Sequence, residues 1–163
     1  MSMLTNILRK AALLGFFIAF MACTSEDGQD PSGSAEEFSG EVAGVGSISA
    51  SKDFDTISGT KIYAAGATIV MMQGTDNSGK GFMLRITTYN GTGTYDLGFT
   101  NIANTATFIE GISAGQQYST AYQGTSGKIT VTVDDGKRLE GTFEFVGKVN
   151  NTSAARTVTN GKF

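Results

Sequence analysis

Alternation of polar and apolar residues with a period of two dominates the second half of this chain. Lys128-Ile129-Thr130-Val131-Thr132-Val133 places Ile129, Val131 and Val133 on one face and Lys128, Thr130 and Thr132 on the other. Side chains of a strand point alternately to its two sides, so one face is buried and one is wet. Asp134-Asp135-Gly136-Lys137 then turns the chain, with Gly136 free to take positive φ. Leu139-Glu140-Gly141-Thr142-Phe143-Glu144-Phe145 returns with Leu139, Phe143 and Phe145 inward. A second hairpin is predicted between Ala67–Gln73 and Gly81–Thr88, joined by Thr75 to Lys80. In it Phe82, Leu84 and Ile86 share one face and Met83, Arg85 and Thr87 the other. Ile69-Val70-Met71-Met72 is apolar on both faces, as in a central strand covered twice or one lying under a loop.

Further strands are predicted at Lys61–Ala65, Thr92–Leu97, Thr105–Ile109, Gln117–Tyr122 and Arg156–Phe163, the last pairing with an early strand. Phe38 to Ala50 carries Gly40, Gly44 and Gly46 and predicts one bulged or bent first strand. The mature chain has no amphipathic helix of convincing length. The expected fold is all-β, an antiparallel β-sandwich or partly closed barrel of about ten short strands. Abundant Thr, Val, Ile, Phe and Tyr suit strands, and the 22 glycines suit turns.

The N-terminal region follows another pattern. Arg9 and Lys10 precede the uncharged, mostly apolar run Ala11–Met21, and Ala22-Cys23 follows. A basic segment, an apolar segment and a small residue before a cleavage point make an export signal. The uncharged run is shorter than the roughly 20 apolar residues that a membrane-spanning helix needs. With the single cysteine placed first after the cut, Phe20-Met21-Ala22-Cys23 resembles a bacterial lipoprotein signal. The resemblance implies acylation of the Cys23 thiol. The expected division is a signal peptide over 1–22, an acidic flexible tether over 23–37 beginning at lipidated Cys23, and a β-sandwich domain over 38–163. No second cysteine exists to make a disulfide, so the core alone must hold the domain.

Charge sharpens this division. The chain carries a formal net charge of -3. Glu26, Asp27, Asp30, Glu36, Glu37 and Glu41 fall between Thr24 and Glu41 with no basic residue among them. From Val42 onward, nine acids meet ten bases. The acidity therefore belongs to a Gly-, Ser- and Pro31-containing tether. The domain shows no basic stripe, which argues against nucleic acid as a partner. Thr24-Ser25-Glu26-Asp27 looks like the surface-export signal of Bacteroidota lipoproteins, which implies an outer-membrane, lipid-anchored and surface-displayed protein.

Four phrases carry a wider resemblance. They are Gly91-Thr92-Gly93-Thr94-Tyr95-Asp96-Leu97, Ser126-Gly127-Lys128-Ile129-Thr130-Val131-Thr132, Leu139-Glu140-Gly141-Thr142-Phe143-Glu144-Phe145 and Thr159-Asn160-Gly161-Lys162-Phe163. In this order, and behind the lipoprotein signal, they resemble small Bacteroidota outer-membrane lipoproteins with a β-sandwich domain of unknown function. The resemblance implies fold and location, and brings no catalytic residue.

The chain has little equipment for catalysis. It contains no His, which removes imidazole acid–base work and His metal ligands. The only thiol is committed to lipid, leaving no cysteine nucleophile. Glu140 and Glu144, outward on one strand, stand about 13 Å apart at strand rise, beyond the roughly 5–9.5 Å of a glycosidase pair. Asp53, Asp55, Asp76 and Asn77 do not approach the six to eight oxygens that Ca²⁺ wants. Gly91-Thr92-Gly93-Thr94 lacks the Gly-Lys-Ser/Thr ending of a phosphate loop and leads into a strand. Met71-Met72 reads as adaptable strand packing. No catalytic residue, cofactor or metal is assigned. Asp55-Thr56-Ile57 resembles the Bacteroidota O-glycosylation acceptor, which makes Thr56 a candidate modification site. Tyr63, Tyr89, Tyr95, Tyr118 and Tyr122 are candidate ligand contacts, although several must be core.

The functional expectation is a non-enzymatic binding or accessory module of the cell envelope. It would meet the membrane through its lipid and a glycan or envelope protein through its surface. A structural envelope protein without a small-molecule ligand is the alternative, and a carboxylate-dependent hydrolase ranks third.

Overall fold

In a computed structural model, the structure describes residues 37–51, 56–64, 67–136 and 138–163, with backbone alone for 51, 56–58 and 60–64. Eleven strands follow one another: β1 Glu37–Val42, β2 Gly46–Ser51, β3 Thr56–Ala64, β4 Ala67–Thr75, β5 Lys80–Tyr89 and β6 Gly93–Gly98, then β7 Asn104–Glu110, β8 Gln117–Ser119, β9 Ser126–Asp134, β10 Leu139–Gly147 and β11 Arg156–Lys162. One 3₁₀ turn, Phe99–Asn101, links β6 to β7. The strands form two antiparallel sheets, one of six in the order β2-β1-β11-β10-β9-β6 and one of five in the order β3-β4-β5-β7-β8. This is the expected all-β sandwich, and the sheets do not close into a barrel.

Both predicted hairpins form. In β9–β10, Ile129 lies opposite Phe143 and Lys128 opposite Glu144, and Gly136 takes φ 81° in the turn. In β4–β5, the Asp76 carboxylate accepts the Ser78 hydroxyl (2.6 Å) and the backbone N–H groups of Ser78 (2.8 Å) and Lys80 (2.9 Å). The C-terminal strand β11 does pair with an early strand: it lies between β1 and β10.

Two expectations need correction. Phe38 to Ala50 is not one bent strand. Gly44 and Gly46 take φ of 77° and 106°, and the chain folds back as the β1–β2 hairpin. Nor is β4 covered twice or roofed by a loop. Val70 and Met72 are buried, while Met71 on the other side is 39% exposed.

The core is centred on phenylalanine. Phe38, Phe82, Phe143 and Phe163 contact one another with ring centroids 5.1–6.5 Å apart. Tilted and offset ring pairs of this kind add to area burial. The rings sit on glycines: a Cβ on Gly74 would strike Phe38, and one on Gly141 or Gly161 would strike Phe163 or Phe143. These strand glycines admit close approach of an aromatic ring. Leu84, Ile86, Ala106, Phe108, Ile129, Val131 and Val158 are among the residues that pack around these rings in the interior.

Candidate functional site

Three of the candidate tyrosines, Tyr89, Tyr95 and Tyr118, are used by the fold. Tyr89, at the end of β5, is buried and its hydroxyl donates to Asp134 Oδ2 at 2.6 Å. Tyr95 on β6 stacks on it at 5.6 Å. The Tyr95 hydroxyl donates to the Gly91 carbonyl (2.6 Å) and accepts the Asn90 N–H (3.0 Å). Burial, then the hydrogen bond to Asp134 and the charges nearby, raise the Tyr89 phenol well above its ordinary pKa. The group stays protonated and works as a clasp between the two sheets. Tyr118 is buried against Phe108, donates to Gln116 Oε1 at 2.7 Å, and lies under the Arg156 guanidinium at 5.5 Å. Tyr122 is half-buried, in the turn that follows β8. Tyr89 and Tyr118 therefore offer no stacking platform to a ligand. Thr56 and Tyr63 lie on β3, and their side chains are outside the described residues, as are Cys23 and the whole segment 1–36.

The carboxylates of β10 are dispersed. Glu144 pairs with Lys128 at 3.2 Å and Glu140 with Arg138 at 3.1 Å. Asp76 is occupied by its own turn, and Asp53 and Asp55 are outside the described residues. Among the described residues, no three acidic, His or Cys side chains are grouped to hold a metal.

Depressions lie instead on the outer face of the six-stranded sheet, along β11. One of about 360 Å³ is lined by Lys128, Thr142, Glu144, Asn160 and Lys162. A second of about 250 Å³ shares Glu144 and adds Ser126, Val146, Thr157 and Thr159. A third of about 400 Å³ shares Thr157 and Thr159 and adds Glu41 and the β1–β2 turn. Neighbours among them share Glu144 or Thr157 and Thr159, so the three follow one another along β11 as a shallow trough.

The trough has a local cause. Between Val158 and Gly161, β11 has two residues where β10 has only Glu144 between Phe145 and Phe143. This bulge puts Thr159 and Asn160 both on the outside. Asn160 takes φ 54°, and among the described residues no other non-glycine has positive φ. Asn is one of the few residues that tolerates this region. Sequence reasoning gave Asn160 no role. The dipeptide Asn160-Gly161, a turn signal inside a strand pattern, was the available clue.

The geometry can be set beside known proteins. No curated protein and no solved structure matches the chain. β1 falls outside the span matched by a family, yet its Phe38 is in the core and it pairs with β11. From β2 to the last residue, over 46–163, the sequence matches the family described as a domain of unknown function, DUF6252, and the chain belongs to that family.

Proposed function

We propose that this protein is a lipid-anchored, non-enzymatic binding module on the outer surface of a Bacteroidota envelope. The observation that carries the reading is Cys23, the only cysteine, placed behind a basic pair and an uncharged run and ahead of an acidic tether. An acyl chain there would hold the molecule at the membrane, with a second membrane signal needed for firm anchoring if only one chain is attached. The tether would hold the sandwich clear of the surface. The sandwich supports a holding role because the outward acids of β10 are each engaged by a cation, while the six-stranded face carries a shallow trough lined by hydroxyls, charges and some apolar side chains.

Cells fed an alkyne-tagged palmitate test this reading. The wild-type protein is expected in the membrane fraction bearing the tag, and Cys23→Ser is expected unlabelled and soluble. Unchanged labelling and fractionation of Cys23→Ser would overturn the anchor. Loss of the wild-type protein on protease treatment of intact cells checks the surface location; full protection would move it to the inner side of the outer membrane.

A further inference from the structure

We propose that the trough along β11 binds a neutral, hydroxyl-rich polymer, an oligosaccharide strand lying along the bulged edge of Thr159 and Asn160. This rests on the binding-module reading and names its ligand class.

Extent is the first argument. Thr157 to Lys162 lies opposite Val146 to Thr142, four strand steps or about 13 Å at strand rise, and the three depressions follow one another along it. An extended chain fits such a floor better than a compact ligand does.

Hydrogen-bonding chemistry is the second. Thr142, Thr157 and Thr159 offer hydroxyls that donate and accept, and the Asn160 amide does both. Carboxylates only accept and ammonium groups only donate. A sugar hydroxyl can satisfy all of these partners. A peptide would bring apolar side chains, for which the trough offers few partners, the half-buried Val45 and Val146 and the small Ala43.

Charge is the third. Glu41 and Glu144 line the trough together with Lys128 and Lys162, so its formal charges balance, and Lys128 is already paired with Glu144 at 3.2 Å. A polyanion would need a surplus of cations, as in a phosphate-binding stripe. A neutral chain does not.

The fourth is the backbone. A bulge re-aims side chains, a constraint that the backbone itself imposes. Here the constraint turns the Asn160 amide outward, into the trough.

The test uses the full-length lipidated protein in detergent. It is titrated with neutral hexasaccharides (glucan, xylan and mannan series), with a uronate hexasaccharide of similar length, and with a Ser/Gly-rich peptide. Binding of at least one neutral series, and of neither the uronate nor the peptide, is expected. Asn160→Gly keeps the backbone conformation without strain and is expected to weaken that binding by about tenfold or more, the effect of losing one well-made contact. Preference for the uronate or the peptide would overturn the ligand class, and binding to none would overturn the assignment. Unaltered affinity in Asn160→Gly would overturn the site. None of these results touches the membrane retention of Cys23, which fails or stands on its own experiment.

Discussion

Phe143 and Glu144 are neighbours on β10 and belong to different halves of this protein's physics. Phe143 is 2% exposed and packs against Phe38, Phe82 and Phe163. Glu144 is open to water and meets Lys128 across the strand. The inner surface of the six-stranded sheet is a contiguous aromatic layer that excludes water. Its outer surface is a lattice of hydroxyls and compensating charges. Apolar burial supplies the main favourable part of folding free energy, whereas exposed ion pairs supply little. The comparison teaches that the residues that hold the fold and those open to water are segregated by one residue step, so the outer face can be altered with small effect on the core.

The inner half should respond most strongly. Phe143→Ala removes a ring that packs against four others, those of Phe38, Phe82, Phe145 and Phe163, and leaves a cavity that strand backbones cannot collapse. Denaturant unfolding is expected to show a loss of about 3–5 kcal/mol. A loss below about 1 kcal/mol would mean that the aromatic layer is not where the stability resides, and the segregation would fail.

The boundary between the halves comes next. Tyr89→Phe keeps the ring stacked on Tyr95 and removes the hydroxyl that donates to Asp134. A hydrogen bond to a charged group is worth about 1.5–3 kcal/mol, and a loss of that size is expected at neutral pH. The pH dependence sharpens this. The phenol's pKa is raised in the folded state, so the unfolded chain gives up this proton first, near pH 10. The stabilisation is complete below that pH and fades as the pH climbs from there toward the folded-state value. The wild-type protein should therefore lose stability above about pH 10, and Tyr89→Phe should lose less over the same range. Parallel alkaline curves for the two proteins would remove Tyr89 as the clasp.

Much of this arrangement was legible in the residues, and the failures share a cause. Where alternation runs unbroken, as from Lys128 to Val131 and from Leu139 to Phe145, strand, hairpin and buried face follow from the period alone, but the expected burial of Val133 fails, because a bulge at Thr132 sets it opposite outward Glu140 and leaves it half-buried. Bulges break that period. Counting by twos from Ile86 sends Tyr89 outward, but an extra residue of β5 between them turns both inward. Counting by twos from Val158 sends Asn160 inward, but the β11 bulge puts it outside and gives the buried place to Gly161. Tyr89 thus went to the core, and the outward place of Asn160 stayed hidden, because register is set across strands while sequence is read along one. The β1–β2 turn was hidden for a different reason. Val42-Ala43-Gly44-Val45 carries none of the Asn or Asp that marks a turn, and only the positive φ of Gly44 and Gly46 reveals it.

The smallest expected effect bears most directly on the comparison. Glu144→Gln preserves shape and removes one charge from the outer lattice. Glu144 and Lys128 have side chains 54% and 53% exposed, so water screens their attraction on both sides. Exposed pairs contribute about 0.2–1 kcal/mol, so the thermal midpoint should fall by no more than a few degrees. Raising the salt concentration should shrink even that difference, because screening already weakens the wild-type pair. A drop of about 2 kcal/mol or more, or one insensitive to salt, would show that Glu144 holds the sheet together. The outer face would then be part of the scaffold, and the trough a by-product of how β11 is held between β1 and β10. A small, salt-sensitive change leaves the outer lattice free to be specified by what it binds.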